Sequence, residues 1–573
     1  MIKGYILGIA CGYHDSAAAL IKDGRVLGAV EEERFTGIKH DSSFPVNTIK
    51  WLLEYNKIEP EDIEVVCFYD DPKTKLDRIK KSTKRGGIFN ILKRNKIIEN
   101  NKKDFKEIED NIYKYTHEDV KIVWGDHHLS HVAYSYYTSP YDKAGVVSVD
   151  GVGEWETTSL YYVENNIFTK IQSVDFPHSL GMLYSTFTAF LGFKPNEGEY
   201  KVMGLAPYGD YKKYLSKFSK IISPSDNGGF EINMKYFTYD WDDKTMFNEK
   251  LAQLLELPNR LPDEEITQDH KDLAATLQYE YEHYFFRLVN RLYGMRPSIN
   301  LCLGGGCAYN GTANGKLLKK TNYKNVWVPP APSDAGSAIG CALYHYYTTN
   351  SSETPIPKQN NQNPYLGPHY SNEEIRQTLE TFEDTVIYKH YLHNEIIKMI
   401  SKEITEGLVI GWFEGKMEFG ARALGNRSIL ANPCDPQMKA KVNKVIKKRE
   451  GFRPFAPIVK IEEQTKYFNY KEDVPYMNQV VQVKKEHQKF LPAITHVDGS
   501  ARIQSLKQSQ HNRIYRLLGQ LNEDNGYPIV LNTSFNLKDQ TMVLDPKTAI
   551  ETFLNCEMDT LVLGNYVVKK KVL

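Results

Sequence analysis

The sequence predicts a multidomain α/β protein whose first part is internally duplicated and whose last part is a separate α/β domain. Three observations lead there. A chain of 573 residues is longer than one hydrophobic core organises, so two or three domains are expected. Two stretches, residues 5–35 and 143–176, repeat one plan of apolar runs and turns. The stretch SSETPIPKQNNQNPYLGP, residues 351–368, is polar, punctuated by proline and poor in large aliphatics, the composition of a linker or surface excursion. The expected domains are therefore 1–350 and 369–573, joined by 351–368.

The first repeat begins with an apolar strand from Tyr5 and a turn holding Gly12, His14, Asp15 and Ser16. It continues through AAALI, a Lys-Asp-Gly turn and VLGAV. The second runs VVSVD, a turn with Gly151, Gly153 and Glu154, TTSLYYV, a Glu-Asn-Asn turn and IFTKIQSV. Each reads as a short antiparallel meander. Glycines in the first turn let backbone N–H groups approach phosphate oxygens, and two such units facing each other would form a phosphate cleft. Between the repeats, residues 73–103 are rich in Lys and Arg. Leu76, Ile79, Ile88, Phe89, Ile91 and Leu92 interrupt the charge, so a solvated helical insertion is expected rather than a nucleic-acid patch.

A third element, LCLGGGCAYNGTANGKLL at residues 301–318, reads as a strand, the glycines Gly304, Gly305 and Gly306, and a small-residue helix whose N-terminus suits phosphate. Alone, a triple glycine is equally a tight turn. The order meander, meander, glycine-rich loop resembles the actin, sugar-kinase and heat-shock ATPase fold, with duplicated halves around a nucleotide cleft.

Lys plus Arg and Asp plus Glu each total 72, which leaves no net charge to draw nucleic acid or an anionic membrane. The N-terminal stretch is broken by Gly, His and Asp and reads as strand and turn rather than signal peptide. No apolar run approaches membrane-spanning length. Seven cysteines without a CxxC pair suit a reducing cytoplasm. The 38 tyrosines are compatible with an oligomer interface.

In WGDHHLSHVAYSYY, His127 and His131 are four apart, so on a helix both imidazoles project from one face and can share a cation. A lone HxxxH is more often two packed histidines. Asp150, ending VVSVD, and Asp334, in PPAPSDAGSAIG, complete a set suited to iron or zinc with positions left for substrate oxygens. Asp334 reads equally as a helix N-cap.

HHLSHVAYSYY, VDGVGEWETTSLY, GEYKVMGLAPYG, GGGCAYNG and PPAPSDAGSAIG occur in this order, opened by HDSAAALIKDG and closed by EGFRPFAPIV and LNTSFN. Together they resemble the carbamoyltransferases of nodulation-factor and antibiotic biosynthesis, across nearly the whole chain. The first domain is also similar to the tRNA threonylcarbamoyl-transfer protein. The second resembles its carbamoyl-adenylate-forming, YrdC-like partner, an open twisted α/β sheet. The resemblance implies that carbamoyl phosphate and ATP give carbamoyl adenylate in the second domain, and that a hydroxyl of a small-molecule acceptor receives the carbamoyl group in the first, with AMP leaving. It implies metal ligation by His127, His131 and Asp334 with Asp150 close by, iron first and zinc or manganese as alternatives, and magnesium with ATP. His14 matches a base for the acceptor proton, and Lys39 a phosphate contact. Their bland readings are a satisfied turn histidine and a surface lysine. Glu199, Lys201, Gly204 and Asn310 would line the nucleotide pocket with the three glycines.

After the linker, LVIGWFEGKMEFGARALGNRSILANP suggests a strand, a glycine turn, and a helix or loop bearing Arg422 and Arg427. Lys444, Lys447, Lys448, Arg449 and Arg453 then crowd ahead of an apolar strand. Such a run is ordinarily an exposed helix face, but two polyanionic substrates need nearby cations. By resemblance Arg422, Lys447, Arg453 and Arg502 take the anion contacts. Asn532 and Ser534 of IVLNTSFN supply neutral hydrogen bonds, although that motif also reads as a strand with an Asx turn. Lys444, Lys448 and Arg449 are left to solvent. The competing readings are a tRNA-modifying threonylcarbamoyl enzyme, disfavoured by net neutrality, and an actin-like ATPase without group transfer, which leaves the paired histidines unused.

Overall fold

The computed structural model describes residues 2–82, 91–242, 244–351, 356–448, 451–453 and 455–571. The chain divides into two compact units. The first holds Met1–Glu32, Ser42–Asn310 and Leu317–Gln362; the second holds Glu33–Asp41, Gly311–Lys316 and Asn363–Leu573. Two short segments of the first 350 residues thus belong to the later unit.

In the first unit one sheet is built from β1 (Tyr5–Ala10), β2 (Ala17–Lys22), β3 (Arg25–Glu31), β4 (Ile63–Phe68) and β5 (Lys121–Trp124), in the order β3-β2-β1-β4-β5. The second contains β6 (Lys143–Val149), β7 (Glu156–Glu164) and β8 (Ile167–Asp175). After a small hairpin, β9 (Ile222–Pro224) and β10 (Phe230–Ile232), it is completed by β11 (Asn300–Gly304) and β12 (Asn325–Trp327), in the order β12-β11-β6-β7-β8. Each sheet is an antiparallel three-strand meander extended by two parallel strands beside its first strand. The duplication is therefore real: the two sheets share one strand plan. Burial explains the order. β1 and β6 are buried almost throughout, as central strands with covered faces must be, whereas β8, at the edge, is largely open.

Of residues 73–103 those described are helical, in Pro72–Ser82 and Ile91–Tyr115. Ile79 and Ile98 are buried; Ile88, Phe89 and the side chains at 91 and 92 lie outside the described residues. The glycine-rich stretch after β11 departs from expectation. No regular helix follows it; a 3-10 turn, Gly306–Tyr309, gives way to one-turn helices Gly311–Asn314 and Leu317–Lys320. Glycine and asparagine are poor helix formers, and Asn314 Nδ2 donates instead to Asn478 O at 2.9 Å. Of the 351–368 stretch, 352–355 lie outside the described residues, and Lys358 Nζ donates to Tyr136 O at 3.1 Å and Ser139 Oγ at 3.2 Å.

Two helices position the site. His127–Tyr137 is buried on nearly all sides and capped by Asp126, which accepts from Leu129 N at 2.7 Å. Asp334–Asn350 packs against it and against β1 and β2. Its run of small residues permits an approach of backbone to backbone: a Cβ on Gly340 would stand 1.9 Å from Ser130 O. Only glycine fits that crossing.

The second unit carries an eight-stranded open sheet. Its strands are β13 (Val386–His390), β14 (Ile410–Phe413), β15 (Arg427–Ala431), β16 (Ala456–Lys460), β19 (Gln504–Leu506), β20 (Ile529–Ser534), β21 (Thr560–Leu563) and β22 (Tyr566–Lys570), in the order β13-β22-β21-β14-β15-β20-β16-β19. β17 (Val480–Gln482) and β18 (Ser500–Arg502) form a separate pair. The β21·β14 and β16·β19 pairs are parallel and the others antiparallel. Arg427, expected on a helix or loop, opens β15. Its guanidinium donates to Glu414 O at 2.7 Å and Pro368 O at 3.2 Å and lies 3.6 Å from the Phe413 ring centre, so it holds the core rather than facing solvent. Among the described residues no helix is long and apolar enough to cross a membrane, and all seven cysteines are free thiols.

Candidate functional site

His127 and His131, one turn apart, bring their Nε2 atoms to 3.2 Å of each other. Asp150, at the end of β6, places Oδ2 at 3.0 Å from His127 Nε2 and 3.5 Å from His131 Nε2. Asp334, the first residue of its helix, places Oδ1 at 3.7 and 3.5 Å from the same nitrogens. All four side chains are buried, and one donor atom from each lies within 4.8 Å of the others. Ser333, not Asp334, occupies the helix N-cap position.

Neighbouring groups hold these side chains in place. Ser337 Oγ engages His131 Nδ1 at 2.9 Å, which leaves Nε2 to face the cluster. Glu154 accepts from the His127 backbone N–H at 3.0 Å and from Asp71 N at 2.8 Å, tying the helix start to the β6–β7 turn. Gly306 N donates to Asp150 Oδ1 at 2.9 Å. The neighbouring Gly305, at φ +81°, would drive a Cβ to 2.3 Å from Val149 O, so the glycine loop serves to seat Asp150.

Burial opposes charge here, yet the groups compensate one another. Against that penalty, Asp334 and the hydrogen bond to Asp150 hold His127 up to about 10. Despite burial, the two imidazoles hold Asp150 well below the usual carboxylate range. Among the described residues, Asp334 Oδ1 makes no hydrogen bond. Two imidazole nitrogens facing two carboxylates, one of them with an orphaned buried oxygen, fit a divalent cation of the nitrogen- and oxygen-binding class.

In the second unit, Lys447 Nζ donates to Ser534 Oγ at 3.3 Å, Asn536 Oδ1 at 2.6 Å and Asn536 O at 2.9 Å. Asn532 Nδ2 donates to Ala423 O at 2.9 Å, while its buried Oδ1 has no hydrogen-bond partner among the described residues. A cation and one unmet amide oxygen thus lie on the last residues of β20 and just beyond it.

The chain matches the family described as carbamoyltransferase N-terminus over residues 5–343, and that described as carbamoyltransferase C-terminus over residues 401–570. The chain belongs to the carbamoyltransferase family. An uncharacterized protein of Synechocystis is 40% identical over 599 aligned positions, covering 99% of this chain and 97% of its own. Nodulation protein NolNO of Sinorhizobium fredii is 33% identical, covering 97% of this chain and 79% of its own. Component A of the Acidaminococcus fermentans (R)-2-hydroxyglutaryl-CoA dehydratase aligns with a TM-score of 0.34 at 16% identity, over 61% of this chain and 99% of that one.

In this carbamoyltransferase the other expected residues are distributed as follows. His14 Nδ1 stands 3.1 Å from Asp15 Oδ2; despite burial, Asp334 and Asp15 raise its pKa well above the ordinary value. Lys39, expected to contact a phosphate, is exposed and lies on the Glu33–Asp41 segment of the second unit. Glu199 accepts from Ser185 Oγ at 2.6 Å and from Asn196 N at 2.9 Å, and so shapes its own turn. Lys201 lies 5.5 Å from the Phe193 ring centre, and Gly204 is buried in the same helix. Asn310 and Gln278 exchange amide hydrogen bonds at 3.0 Å. Arg422 is half-buried, Arg453 O accepts from Asn443 Nδ2 at 3.2 Å, and Arg502 ends β18. Arg449 lies outside the described residues.

Sequence reasoning missed Ser337, Glu154 as a ligand anchor, Tyr69, whose hydroxyl reaches Asp334 Oδ2 at 3.4 Å, and Asn536. Ser337 was within reach, three residues beyond Asp334 on one helical face. Asn536 lies in the quoted LNTSFN motif. Nothing local marks Tyr69.

Proposed function

We propose that this carbamoyltransferase is an ATP-dependent O-carbamoyltransferase acting on a hydroxyl of a small-molecule natural product. Water hydrolyses carbamoyl phosphate to carbamate and phosphate. Carbamate oxygen attacks the ATP α-phosphorus and expels pyrophosphate, giving carbamoyl adenylate; the acceptor oxygen then attacks the carbamoyl carbon and AMP leaves. The observation that carries the reading is the convergence of His127, His131, Asp150 and Asp334 within 4.8 Å in a member of this family.

Those four residues would hold a divalent cation, iron first with zinc or manganese as alternatives, which when bound supplies Lewis acidity toward phosphate and carbamoyl oxygens. Ser337 and Glu154 keep the imidazoles aimed inward. His14 is the base for the acceptor hydroxyl. Since Asp334 and Asp15 favour its protonated form, it takes up a proton only where the Asp334 charge is compensated. In the second unit Lys447, Arg422, Arg453 and Arg502 offset the charge of carbamoyl phosphate and of ATP with its magnesium. Asn532 and Ser534 orient them through neutral hydrogen bonds. Glu199, Lys201, Gly204, Gly304, Gly305, Gly306 and Asn310 border the nucleotide of the transfer site. Lys39 is assigned a phosphate contact. Free thiols throughout suit the cytoplasm.

The test is a product analysis with labelled carbamoyl phosphate, ATP and a panel of hydroxylated natural products. AMP, pyrophosphate and an acceptor heavier by one carbamoyl group are expected. ADP with phosphate as the nucleotide products would overturn the adenylate route.

A further inference from the structure

The helix Pro72–Ser82 spaces Lys75, Arg78 and Lys81 three residues apart, which puts them on one face. Two of the three are committed. Lys75 Nζ pairs with Asp70 Oδ2 at 2.5 Å, and Lys81 pairs with Asp77 at 2.7 Å and lies 5.6 Å from the Trp155 ring centre. Arg78 is different. Among the described residues it has no hydrogen-bond acceptor and no ion-pair partner, and its Nε is shut off from solvent. Its guanidinium lies over the Phe176 ring at 5.1 Å, an arrangement that leaves the in-plane donors available.

A half-buried guanidinium whose Nε is closed off without an acceptor is costly, and the nearby acids favour its charge without hydrogen-bonding it. Lys75 neutralises Asp70, and Glu154 is occupied by the Asp71 and His127 backbone amides. Burial pushes the Arg78 pKa down, with Asp70, Glu154 and Tyr13 opposing. Lys81, on the same helix face, lies over Trp155, the neighbour of the Glu154 that accepts from the His127 backbone N–H, so this cationic face borders the turn that holds the His127 cluster.

We infer that Arg78 is a substrate-binding residue, its guanidinium seating an oxyanion that offers two acceptor oxygens and is carried by one of the two substrates of carbamoyl transfer. A phosphate of the carbamoyl donor and a carboxylate of the acceptor share that chemistry. The inference rests on the His127 cluster being the transfer site for its meaning in the reaction, but not for the binding itself.

The test uses the full chain and minimal probes. Phenylglyoxal modification of Arg78, followed by peptide mass spectrometry, is timed in chloride, inorganic phosphate and acetate at equal ionic strength. Protection of at least about threefold by phosphate alone assigns the donor's phosphate, and protection by acetate as well assigns a carboxylate-bearing acceptor; either supports the inference. In parallel, Arg78→Met should melt at or above the wild-type temperature, because it removes an unpaired charge without leaving a hole. Its KM for one substrate should rise at least tenfold with kcat changing less. No protection by either anion, or a melting temperature lowered by several degrees, overturns it. Phosphate protection in a protein that forms no carbamoyl adenylate would leave the inference standing and remove the reading above it.

Discussion

Replacing Gly340 with alanine should loosen the His127 and Asp334 helices and empty the site together. The added Cβ would start 1.9 Å from Ser130 O, and a contact of at least 3.0 Å is needed. The two helices must therefore part by 3.0 − 1.9 = 1.1 Å or distort locally by as much. Overpacking of this kind costs about 1–3 kcal/mol, which for a unit of this size lowers the melting temperature by several degrees. The functional effect is sharper than the loss of stability. His131 sits on one helix and Asp334 on the other, now 3.5 Å apart, and ligand distances tolerate shifts of only about 0.2 Å. Metal content by inductively coupled plasma mass spectrometry, beside a thermal melt, reads both effects. A Gly340→Ala protein that keeps wild-type melting temperature and metal stoichiometry would refute the claim that this crossing sets the site.

Three further outcomes follow from the same geometry. His127→Ala should abolish carbamoyl transfer while leaving AMP and pyrophosphate formation within about twofold of wild type, measured by separate assays of the two half-reactions. Lys447→Met should do the reverse: it strips Ser534 and Asn536 of their shared cation and should depress adenylate formation at least tenfold, while transfer from supplied carbamoyl adenylate persists. Asp498, which accepts from Ser500 Oγ at 2.6 Å beside His496, is held down to about 2 despite burial. A depressed carboxyl stabilises the fold above its ordinary pKa and loses that contribution as pH falls from 3.8 to about 2. The stability difference between wild type and Asp498→Asn, followed by denaturant titration, should therefore shrink across that window and be constant above it.

Much of the first unit was legible because its signals are local. The two meanders announce themselves as apolar runs separated by glycine-bearing turns, and their strand orders agree. The HxxxH pair reads directly from helical periodicity, and Asp150 and Asp334 fall at a strand end and a helix start, where side chains can meet. What was illegible depends on contacts distant in sequence. The stretch after Gly306 has small residues that suit a helix start, but the helix there, Gly311–Asn314, lasts one turn, and the Asn314 side chain bonds to Asn478 O, far along the chain. Lys39 stands in a first-half motif, yet its segment packs with the later unit. Arg427 looked equivalent to Arg422 by composition; only the carbonyls of Glu414 and Pro368 reveal that it is consumed internally. Tyr69 lies 265 residues from Asp334 along the chain, beyond any spacing argument.

The account turns on whether two imidazoles and two carboxylates from three places in the chain hold one cation. X-ray absorption at the edge of whichever metal copurifies addresses this most directly. One metal per chain is expected, with two imidazole nitrogens and carboxylate oxygens at about 2.0–2.2 Å and with the imidazole signal lost in His127→Ala. A sulfur-ligated metal, or a chelated, metal-free protein that still transfers carbamoyl groups at the wild-type rate, would contradict it.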